Sequence, residues 1–429
     1  MDSKLVKIQN PWWANEAALK EDPHLLAIRN VSYYYQRPEH YHLPLLPDCF
    51  HILRGPRQVG KTTLLKQWIE RLVVQEKISP QHIFFLSCEG LDNFQELQKT
   101  LLDWLEDKKS MPSYLFLDEI SFVPQWQRAI LTLSNAGLLS KQCLVITGSN
   151  ARDLKESSER FPGRRGGGKD INLYPFTLAE YLKLPCFKGK SQSELLAIYM
   201  QIGGFPHAVH DWVLHGHVMD ETYTTYKNWI IGDAARFGLS EEILKHIFFR
   251  IAETLSSRIT WPKIIEQTPI KSHETALSYL EHLQEAFLCH IHYCYDPNKK
   301  GPAFQKARKV YLIDPLLYHL AYGWRKNMVH IHQWVEDWLH SDENKGKLLE
   351  SFFVVGAAEQ RPDVYYWYST KEKKEVDLVM ESESGLKLFE VKWNREGKLT
   401  ALGQDVKILS ANQLVDFLSN ALDKPSHFN

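Results

Sequence analysis

The stretch that decides the fold reads Cys49-Phe50-His51-Ile52-Leu53-Arg54-Gly55-Pro56-Arg57-Gln58-Val59-Gly60-Lys61-Thr62-Thr63. Its first part, up to Arg54, predicts a short buried strand, and apolar residues recur at helical spacing from Leu64 onward. The loop between them matches the pattern G-x-x-x-x-G-K-[ST] in full. In that pattern, backbone N–H groups and the N-terminus of the following helix surround phosphate groups.

The loop pattern gives individual residues a role. We expect Lys61 to contact the β- and γ-phosphates of a bound nucleotide and the Thr62 hydroxyl to bind Mg²⁺. The sequence therefore predicts ATP and Mg²⁺ as ligands. The nucleotide is expected to contact the whole loop, which consists of Gly55, Pro56, Arg57, Gln58, Val59, Gly60, Lys61, Thr62 and Thr63.

Two further apolar runs end in polar residues that fit the same site. The run Tyr114 to Leu117 is followed by Asp118 and Glu119, and parallel sheets place ligand-binding groups at such strand ends. We expect Asp118 to hold Mg²⁺ and Glu119 to polarise the attacking water. The run Leu144-Val145-Ile146-Thr147 is followed by Gly148-Ser149-Asn150, and we expect Asn150 to sense the γ-phosphate.

Paired arginines, Arg164 and Arg165, lie in a glycine-rich segment beyond these strands. One interpretation is a solvated surface loop. The other is an arginine finger, which presents a guanidinium to the γ-phosphate bound by a neighbouring subunit. The second interpretation is favoured, and it predicts a homo-oligomer because such a finger does not reach the site of its own chain.

These motifs together resemble a known group, the prokaryotic AAA+ ATPases that join an ATPase core to a winged helix and a PD-(D/E)xK nuclease-like tail. The resemblance covers nearly the whole chain. Besides the motifs above, it rests on Asn10-Pro11-Trp12-Trp13, Pro162-Gly163-Arg164-Arg165, Leu173-Tyr174-Pro175-Phe176, Gly203-Gly204-Phe205-Pro206 and Val310-Tyr311-Leu312-Ile313-Asp314-Pro315.

The resemblance implies an α/β fold with several parts. These are an AAA+ P-loop NTPase core, in which helices flank a parallel sheet, a helical lid, a winged helix and a C-terminal restriction-endonuclease-like α/β domain. It also implies a hexameric ring. The expected segments are an N-terminal aromatic arm (1–48), the ATPase core (49–185), the lid (186–236), the winged helix (237–325) and the nuclease-like domain (326–429).

Composition excludes some classes of protein. The chain has 429 residues, 44% of them hydrophobic and 24% charged, which suits a soluble protein of two to four domains. A formal net charge of −1 gives no global attraction to nucleic acid, so any such binding needs a local patch. Six scattered cysteines predict reduced thiols in the cytoplasm. We expect neither a signal peptide nor a membrane span.

A basic segment between Pro297 and Lys309 predicts the local patch. It contains five positive and no negative charges. Beside a helix-turn-helix such a segment suits the phosphate backbone of DNA, although a solvated surface loop has the same composition. The expected DNA contacts are Lys299, Lys300, Lys306, Arg308 and Lys309.

The last hundred residues carry a second set of chemical groups. Glu350 lies on a predicted helix, and Asp377 and Glu390-Val391-Lys392 lie on predicted strands. Glu390 and Lys392 share one face because side chains alternate along a strand. This set resembles a PD-(D/E)xK nuclease site, in which Asp377 and Glu390 would hold Mg²⁺ and Lys392 would activate water. A charged edge strand, or a nuclease fold without activity, is the alternative interpretation.

The sequence therefore favours an oligomeric, Mg²⁺-dependent AAA+ ATPase that couples ATP hydrolysis to work on DNA. The first alternative is an ATP-gated nuclease in which the C-terminal carboxylates do the main chemistry. The second is a switch without motor activity, in which ATP binding gates a protein partner through the winged helix.

Overall fold

The computed structural model describes residues 2–31, 33–108, 111–149, 165–266, 268–361, 363–382, 385–394, 397, 399–411, 413, 414 and 417. The chain forms two compact units, Met1–Tyr174 and Pro175–Asn429. Each unit has its own sheet. Within the described residues, every helix is too short or too polar to cross a lipid bilayer.

The first unit is built on a parallel sheet. Its strands are β1 (Phe50–Arg54), β2 (Ile83–Ser87), β3 (Ser113–Asp118), β4 (Gln142–Gly148) and β5 (Asp170–Asn172). They pair in the order β2-β3-β4-β1-β5, and every pairing is parallel. The helices are α1 (Ser3–Gln9), α2 (Pro23–Arg29), α3 (Pro38–Tyr41), α4 (Lys61–Glu70), α5 (Phe94–Leu105) and α6 (Trp126–Asn135).

The sheet has an apolar core on each face, which is why its strands read as continuous hydrophobic runs. Successive residues of β3 enter opposite cores: Leu115 and Leu117 pack with helices α5 and α6, whereas Phe116 packs with α4. Trp68 of α4 is fully buried in this second core. The α/β fold class with a helix-flanked parallel sheet is therefore confirmed.

The N-terminal segment covers strand β2, which forms one edge of the sheet. The Asn10 side chain donates to the carbonyl of Phe85 (2.8 Å) and accepts from its N–H (2.7 Å), as a neighbouring strand would. The indole N–H groups of Trp12 and Trp13 both donate to the carbonyl of Ile83. This explains the Asn-Pro-Trp-Trp sequence, since an uncovered edge strand invites pairing with other chains.

The second unit begins with helices and ends with a mixed sheet. Its helices are α7 (Leu178–Tyr181), α8 (Gln192–Ile202), α9 (Pro206–His215), α10 (Asp220–Arg236), α11 (Glu241–Glu253), α12 (Trp261–Ile265), α13 (His273–Glu285), α14 (Pro315–Lys326), α15 (Ile331–Trp338) and α16 (Asp342–Gln360). Its first strands are β6 (Cys289–His292), β7 (Tyr295–Asp296), β8 (Gly301–Pro302) and β9 (Lys309–Leu312).

The C-terminal sheet contains β10 (Val364–Ser369), β11 (Lys374–Ser382), β12 (Gly385–Val391), β13 (Leu399–Ala401) and β14 (Gln404–Leu409). Its strand order is β10-β11-β12-β14-β13, and only β12 and β14 pair in parallel among the described strands of this sheet. Two antiparallel ribbons, β6-β9 and β7-β8, precede it.

The Gly203-Gly204 pair lies where two backbones and a carboxylate meet. Gly204 N–H donates to Asp314 Oδ2 (2.7 Å), and Asp314 Oδ1 accepts from Leu316 N–H (2.8 Å) at the start of α14. A Cβ on Gly204 would lie 1.8 Å from the carbonyl oxygen of Phe176. Glycine is therefore required at this point by close packing.

The β6-β9 ribbon is joined to the C-terminal sheet by buried polar contacts. The N–H of Tyr366 on β10 donates to the carbonyl of Tyr293 (3.0 Å). His292 Nε2, on β6, donates to the carbonyl of Asp377 (3.0 Å) on β11. These contacts bring residues from the predicted segments 237–325 and 326–429 into one compact unit.

Candidate functional site

The glycine-rich loop connects β1 to α4 through backbone conformations that favour glycine. Gly55 has φ +153° and Gly60 has φ +101°, and Gln58 between them is also left-handed at +62°. A Cβ on Gly55 would lie 2.1 Å from the carbonyl oxygen of Leu173, so only glycine fits there. No side chain caps the N-terminus of α4 within the described residues, which leaves its first N–H groups available to an anion.

Lys61 is the first residue of α4 and its side chain is 4% exposed. Its Nζ donates to the carbonyl oxygens of Gly55 and Pro56, both at 3.0 Å, and lies 3.2 Å from Glu119 Oε1. A buried ammonium needs such partners, because burying an unpaired charge is costly. The ammonium is thus held over the loop by weak carbonyl acceptors that an incoming phosphate can replace.

Asp118 ends β3 beside the first turn of α4. Its Oδ2 accepts from the Thr62 hydroxyl (2.6 Å), and its Oδ1 accepts from the Thr147 hydroxyl (2.6 Å) on β4. Burial and the nearby charge of Glu119 raise the pKa of Asp118, while the two hydroxyl donors oppose that rise. A cation beside this carboxylate would favour its ionised form.

Glu119 adopts a left-handed backbone conformation, with φ +50°, immediately after β3. A non-glycine residue in this conformation costs roughly 1–3 kcal/mol, and such strain is concentrated at functional sites. Burial alone would raise the pKa of Glu119, but the charges of Lys61 and Arg57 outweigh it and hold the pKa below its usual value. Its Oε2 is buried, and the nearby Ser149 hydroxyl also lowers the pKa of this carboxylate.

The donor set of this site fits Mg²⁺. The Thr62 hydroxyl and the Asp118 carboxylate are hard oxygen ligands, already 2.6 Å apart. Magnesium usually keeps several waters and is completed by substrate phosphates rather than by an all-protein cage. The two side chains predicted to hold the metal are therefore adjacent, and Lys61 and Glu119 lie beside them.

Thr147 and Arg57 have roles that the sequence did not indicate. The Thr147 hydroxyl accepts from the backbone N–H of Glu119 (2.8 Å) while it donates to Asp118, so one side chain fixes the Asp118 carboxylate and the backbone of Glu119. Arg57 was assigned only to nucleotide contact, but its charge also lowers the pKa of Glu119, and its guanidinium lies 5.0 Å from the centre of the Phe122 ring. A threonine inside a β-run looks like an ordinary strand residue, so only its position next to the Asp-Glu pair could have revealed it.

The other predicted members of the site differ in where they lie. Asn150 and Arg164 lie outside the described residues. Arg165 lies beside the edge of the sheet, where its guanidinium pairs with Asp170 Oδ1 at 2.6 Å and its carbonyl accepts from the N–H of Phe50. The described geometry therefore ties Arg165 to its own chain, and both finger assignments stay predictions.

The second unit contains a cluster of carboxylates around Lys309, which we call the Lys309 cluster. Lys309 Nζ lies 2.7 Å from Glu350 Oε1, 2.5 Å from Glu375 Oε1 and 3.0 Å from Asp377 Oδ1. Glu390 lies at the edge of this cluster, paired with Lys392 at 2.7 Å. The structure thus brings together the four residues predicted for a nuclease-like site and adds Lys309 and Glu375.

Charges in this cluster shift each other's pKa values. Burial and the charge of Asp377 raise the pKa of Glu350 to about 7 and that of Glu390 to about 8. Burial alone would lower the pKa of Lys309, but Glu350, Tyr311 and the other carboxylates outweigh it and raise the pKa well above its usual value. Lys309 is therefore a permanent cation.

The last two residues of the predicted DNA contact surface, Arg308 and Lys309, do not belong to it. Lys309 is fully buried in the cluster just described, so it cannot contact DNA as predicted. Arg308 is 4% exposed and stacks 3.9 Å above the centre of the Trp261 ring, which makes it a packing residue. The basic composition of the segment suggested a surface loop. Burial of Arg308 and Lys309 was not predicted, because their partners lie far away in the chain. Lys299, Lys300 and Lys306 are exposed at or after the β7-β8 turn.

Comparison with family models gives three matches along the chain. Residues 49–182 match a model described as AAA domain. Residues 193–327 match a domain of unknown function, DUF8612, and residues 345–417 match another, DUF4143. No curated protein matches the chain significantly.

Comparison with solved structures gives weak likenesses. Cdc6p from Pyrobaculum aerophilum is 17% identical, covers 73% of this chain and 94% of its own, and superposes with a TM-score of 0.28. The Aeropyrum pernix ORC1 protein in complex with DNA is 13% identical, with 72% and 91% coverage and a TM-score of 0.32. DnaA from Aquifex aeolicus, bound to AMPPCP, is 16% identical, with 63% and 86% coverage and a TM-score of 0.29. At these values the likenesses say nothing of what this chain binds.

The family match and the site geometry define the class of the first unit. Its parallel sheet, phosphate loop and adjacent Asp-Glu pair are those of an AAA+ P-loop ATPase domain, and the family match covers residues 49–182, of which 49–174 lie in this unit.

Proposed function

We propose that this protein is an oligomeric, Mg²⁺-dependent AAA+ ATPase that couples ATP binding and hydrolysis to the binding or remodelling of DNA. The observation that carries the proposal is the arrangement around the phosphate loop. Lys61 contacts Glu119, and Thr62 contacts Asp118, so the groups needed for nucleotide, metal and water lie within one site.

Binding of ATP follows from the loop and the start of α4. The loop N–H groups and the uncapped N-terminus of α4 surround the phosphates, and Lys61 exchanges its carbonyl partners for the β- and γ-phosphate oxygens. Thr62 and Asp118 would hold Mg²⁺, which supplies charge neutralisation at the phosphates when bound. The exchange keeps the buried ammonium satisfied in both states.

Hydrolysis needs a water molecule held in line with the γ-phosphate. The lowered pKa of Glu119 keeps it ionised at neutral pH, and its buried Oε2 is the acceptor that orients the water. In this proposal Asn150 contacts the γ-phosphate. No covalent bond to the protein forms, because phosphoryl transfer depends on positioning and charge stabilisation.

The oligomer enters the proposal through the arginine finger. Arg165 already pairs with Asp170 and borders the sheet of its own chain, so Arg164 is the better candidate for reaching a neighbouring active site. Six subunits in a ring are what the resemblance implies. The six thiols are all unpaired in the structure, which suits a cytoplasmic setting.

The DNA part of the proposal rests on the second unit. Helices α11, α12 and α13 followed by the β6-β9 ribbon have the element order of a winged helix. The β7-β8 turn beside them exposes Lys299 and Lys300, and Lys306 follows. Three exposed ammonium groups without a nearby acidic residue in the same segment suit the phosphate backbone.

ATP turnover with and without single-stranded, duplex and branched DNA tests the proposal. We expect wild-type turnover to rise with at least one DNA. Glu119→Gln should retain nucleotide affinity but lose about 10²–10⁴-fold in turnover, because the amide does not act as a base. Lys61→Ala should instead lose affinity, measured with a fluorescent nucleotide.

Glu106→Gln is the matched control, since Glu106 is an exposed carboxylate in the same unit. It should turn over ATP like the wild type. Wild-type turnover by Glu119→Gln would contradict the role of Glu119. Nucleotide binding without turnover in the wild type would instead favour an ATP switch that captures a protein partner.

A further inference from the structure

The Lys309 cluster resembles a metal site in its donors but has a different cation at its centre. Three carboxylates from two elements, Glu350 on α16 and Glu375 and Asp377 on β11, converge on one nitrogen at 2.5–3.0 Å. A lysine ammonium has three N–H donors, and each of the three is matched by one carboxylate. The ammonium has no donor left for a further group.

The outer oxygens of Glu375 and Asp377 also have partners. Arg258 Nε lies 2.8 Å from Glu375 Oε2, and the N–H of Val391 donates to Asp377 Oδ2 (3.0 Å). The Tyr311 hydroxyl donates to Glu350 Oε1 (2.6 Å), the same oxygen that contacts the ammonium. These contacts fix the carboxylates around the ammonium and reduce their freedom to turn toward another cation.

Lys309 has no ready way out of the cluster. Its side chain is 1% exposed, and its backbone pairs with β6. A divalent ion that took the same carboxylates would leave the ammonium buried without a counter-charge, which is a large penalty. The ion would therefore have to overcome the loss of the lysine as well as its own dehydration.

We propose that Lys309 takes the cation position of the nuclease-like site, so that the second unit is closed to divalent metal and uses this fold for structure or binding rather than for DNA cleavage. The lysine comes from β9, outside the C-terminal sheet. It therefore also locks the β6-β9 ribbon to β11 and α16. Glu390 and Lys392, although they match the expected nuclease pattern, pair with each other at the edge of the cluster.

Binding of Mn²⁺ to the full-length protein without nucleotide tests this inference. Asp118→Asn is used as the background, because it removes the metal ligand of the ATPase site. Free Mn²⁺ is measured by electron paramagnetic resonance, and melting temperature is measured alongside. We expect the background protein to bind no Mn²⁺ through Asp377, so adding Asp377→Asn leaves the binding unchanged.

The variant Lys309→Met opens the position. It should lower the melting temperature by roughly ten degrees, because it leaves buried carboxylates without their cation. Added Mn²⁺ should then bind near one ion per chain and restore much of that loss, and Asp377→Asn should remove the gain. Lys306→Met is the control, since Lys306 is exposed in the same segment and should change neither measurement.

Two results would overturn the inference. One is stoichiometric Mn²⁺ binding, or Mn²⁺-dependent DNA cleavage, that the Lys309-containing protein loses on Asp377→Asn. The other is a folded Lys309→Met protein that gains no Mn²⁺ site. If Lys309→Met does not fold, the comparison of the Lys309-containing proteins with and without Asp377→Asn still decides the question.

Discussion

At the scale of single residues, Thr147 contacts both members of the Asp-Glu pair in the proposed ATPase site. Its hydroxyl donates to Asp118 and accepts from the N–H of Glu119, and the residue is fully buried. Thr147→Val keeps the shape but removes both hydrogen bonds. We expect the free energy of unfolding to fall by about 1–3 kcal/mol and ATP turnover to fall roughly 10- to 100-fold.

The pH profile of turnover distinguishes this role from a packing role. The Thr147 hydroxyl lowers the pKa of Asp118, so Thr147→Val should raise that pKa further and move the acidic limb of the profile to higher pH. Thr147→Ser retains the hydroxyl and should restore the position of the limb. Equal turnover in Thr147→Val and wild type across the pH range would refute the assigned role.

Asp314 predicts a pH dependence of stability in the second unit. Burial raises its pKa to about 7, although the N–H groups of Gly204 and Leu316 oppose that rise. Between its unfolded value near 4 and about 7, the folded chain holds a proton that the unfolded chain has released. Its contribution therefore makes the protein less stable as pH rises through this window, by up to about 1.4 kcal/mol per pH unit.

The comparison with Asp314→Asn isolates this contribution. The amide does not titrate, so the melting temperature of Asp314→Asn minus that of the wild type should increase from pH 4 to pH 7. Glu350 and Glu390 also have raised pKa values, but both proteins contain them and their effects cancel in the difference. A difference that stays constant with pH would show that Asp314 is ionised throughout.

At the scale of elements, the sequence predicts the strands whose burial is visible in their own pattern of apolar and polar residues. Strands β1, β3 and β4 were predictable because strands buried on both faces are continuous apolar runs. Strand β5 was not predicted, since its two outer residues are exposed and polar. Residues at the carboxyl ends of predicted strands, such as Asp118, follow from the geometry of parallel sheets.

The position of Lys309 among these carboxylates could not be predicted from the sequence, for a physical reason. Its partners Glu350 and Asp377 lie 41 and 68 positions away in the chain. A lysine in a basic run has the composition of a surface loop, and only the ion pairs of its side chain with Glu350 and Asp377 show that it is buried against the C-terminal sheet. Burial of a charge is decided by the tertiary structure, which a local pattern does not report.

The β7-β8 turn makes a prediction about DNA binding. Replacing Lys299, Lys300 and Lys306 by Gln should weaken binding and flatten the slope of log affinity against log salt concentration. The change in slope should be about 0.9 for each lost contact with a phosphate of duplex DNA. Measuring the affinity at several salt concentrations by fluorescence anisotropy gives the slope directly.

A triple substitution elsewhere in the second unit controls for net charge. Lys188, Lys190 and Lys271 are exposed, and their replacement by Gln removes the same charge. This variant should keep the wild-type slope. If both triple variants change the slope equally, binding depends on overall charge and the turn is not the contact surface.

At the scale of the whole molecule, each unit completes its own core and its own polar cluster. The proposed ATPase site is formed by residues of the first unit, and the Lys309 cluster by residues of the second. Substitutions in one should therefore leave the local chemistry of the other intact. In the proposed oligomer, each ATPase site also receives an arginine from a neighbouring subunit. Mixing two inactive variants tests this arrangement.

A mixture of Glu119→Gln and Arg164→Ala subunits tests the shared active site. Neither protein should hydrolyse ATP alone, because one lacks the base and the other the finger, which contributes about 10³–10⁵ in rate. In an equimolar mixed ring, roughly a quarter of the interfaces combine an intact Glu119 with an intact neighbouring arginine. Turnover should therefore recover to about that fraction of the wild-type rate.

A second mixture is the negative control for an active site shared between subunits. Lys61→Ala and Glu119→Gln both damage the site of their own chain, so their mixture contains no intact site and should stay inactive.

Arg165→Ala should chiefly reduce stability, because that guanidinium pairs with Asp170 in its own chain. If Arg164→Ala is active alone and Arg165→Ala recovers in the mixture instead, the finger is Arg165. If neither arginine variant recovers at any ratio, the arginines act within their own chain, and the argument for an obligate oligomer fails.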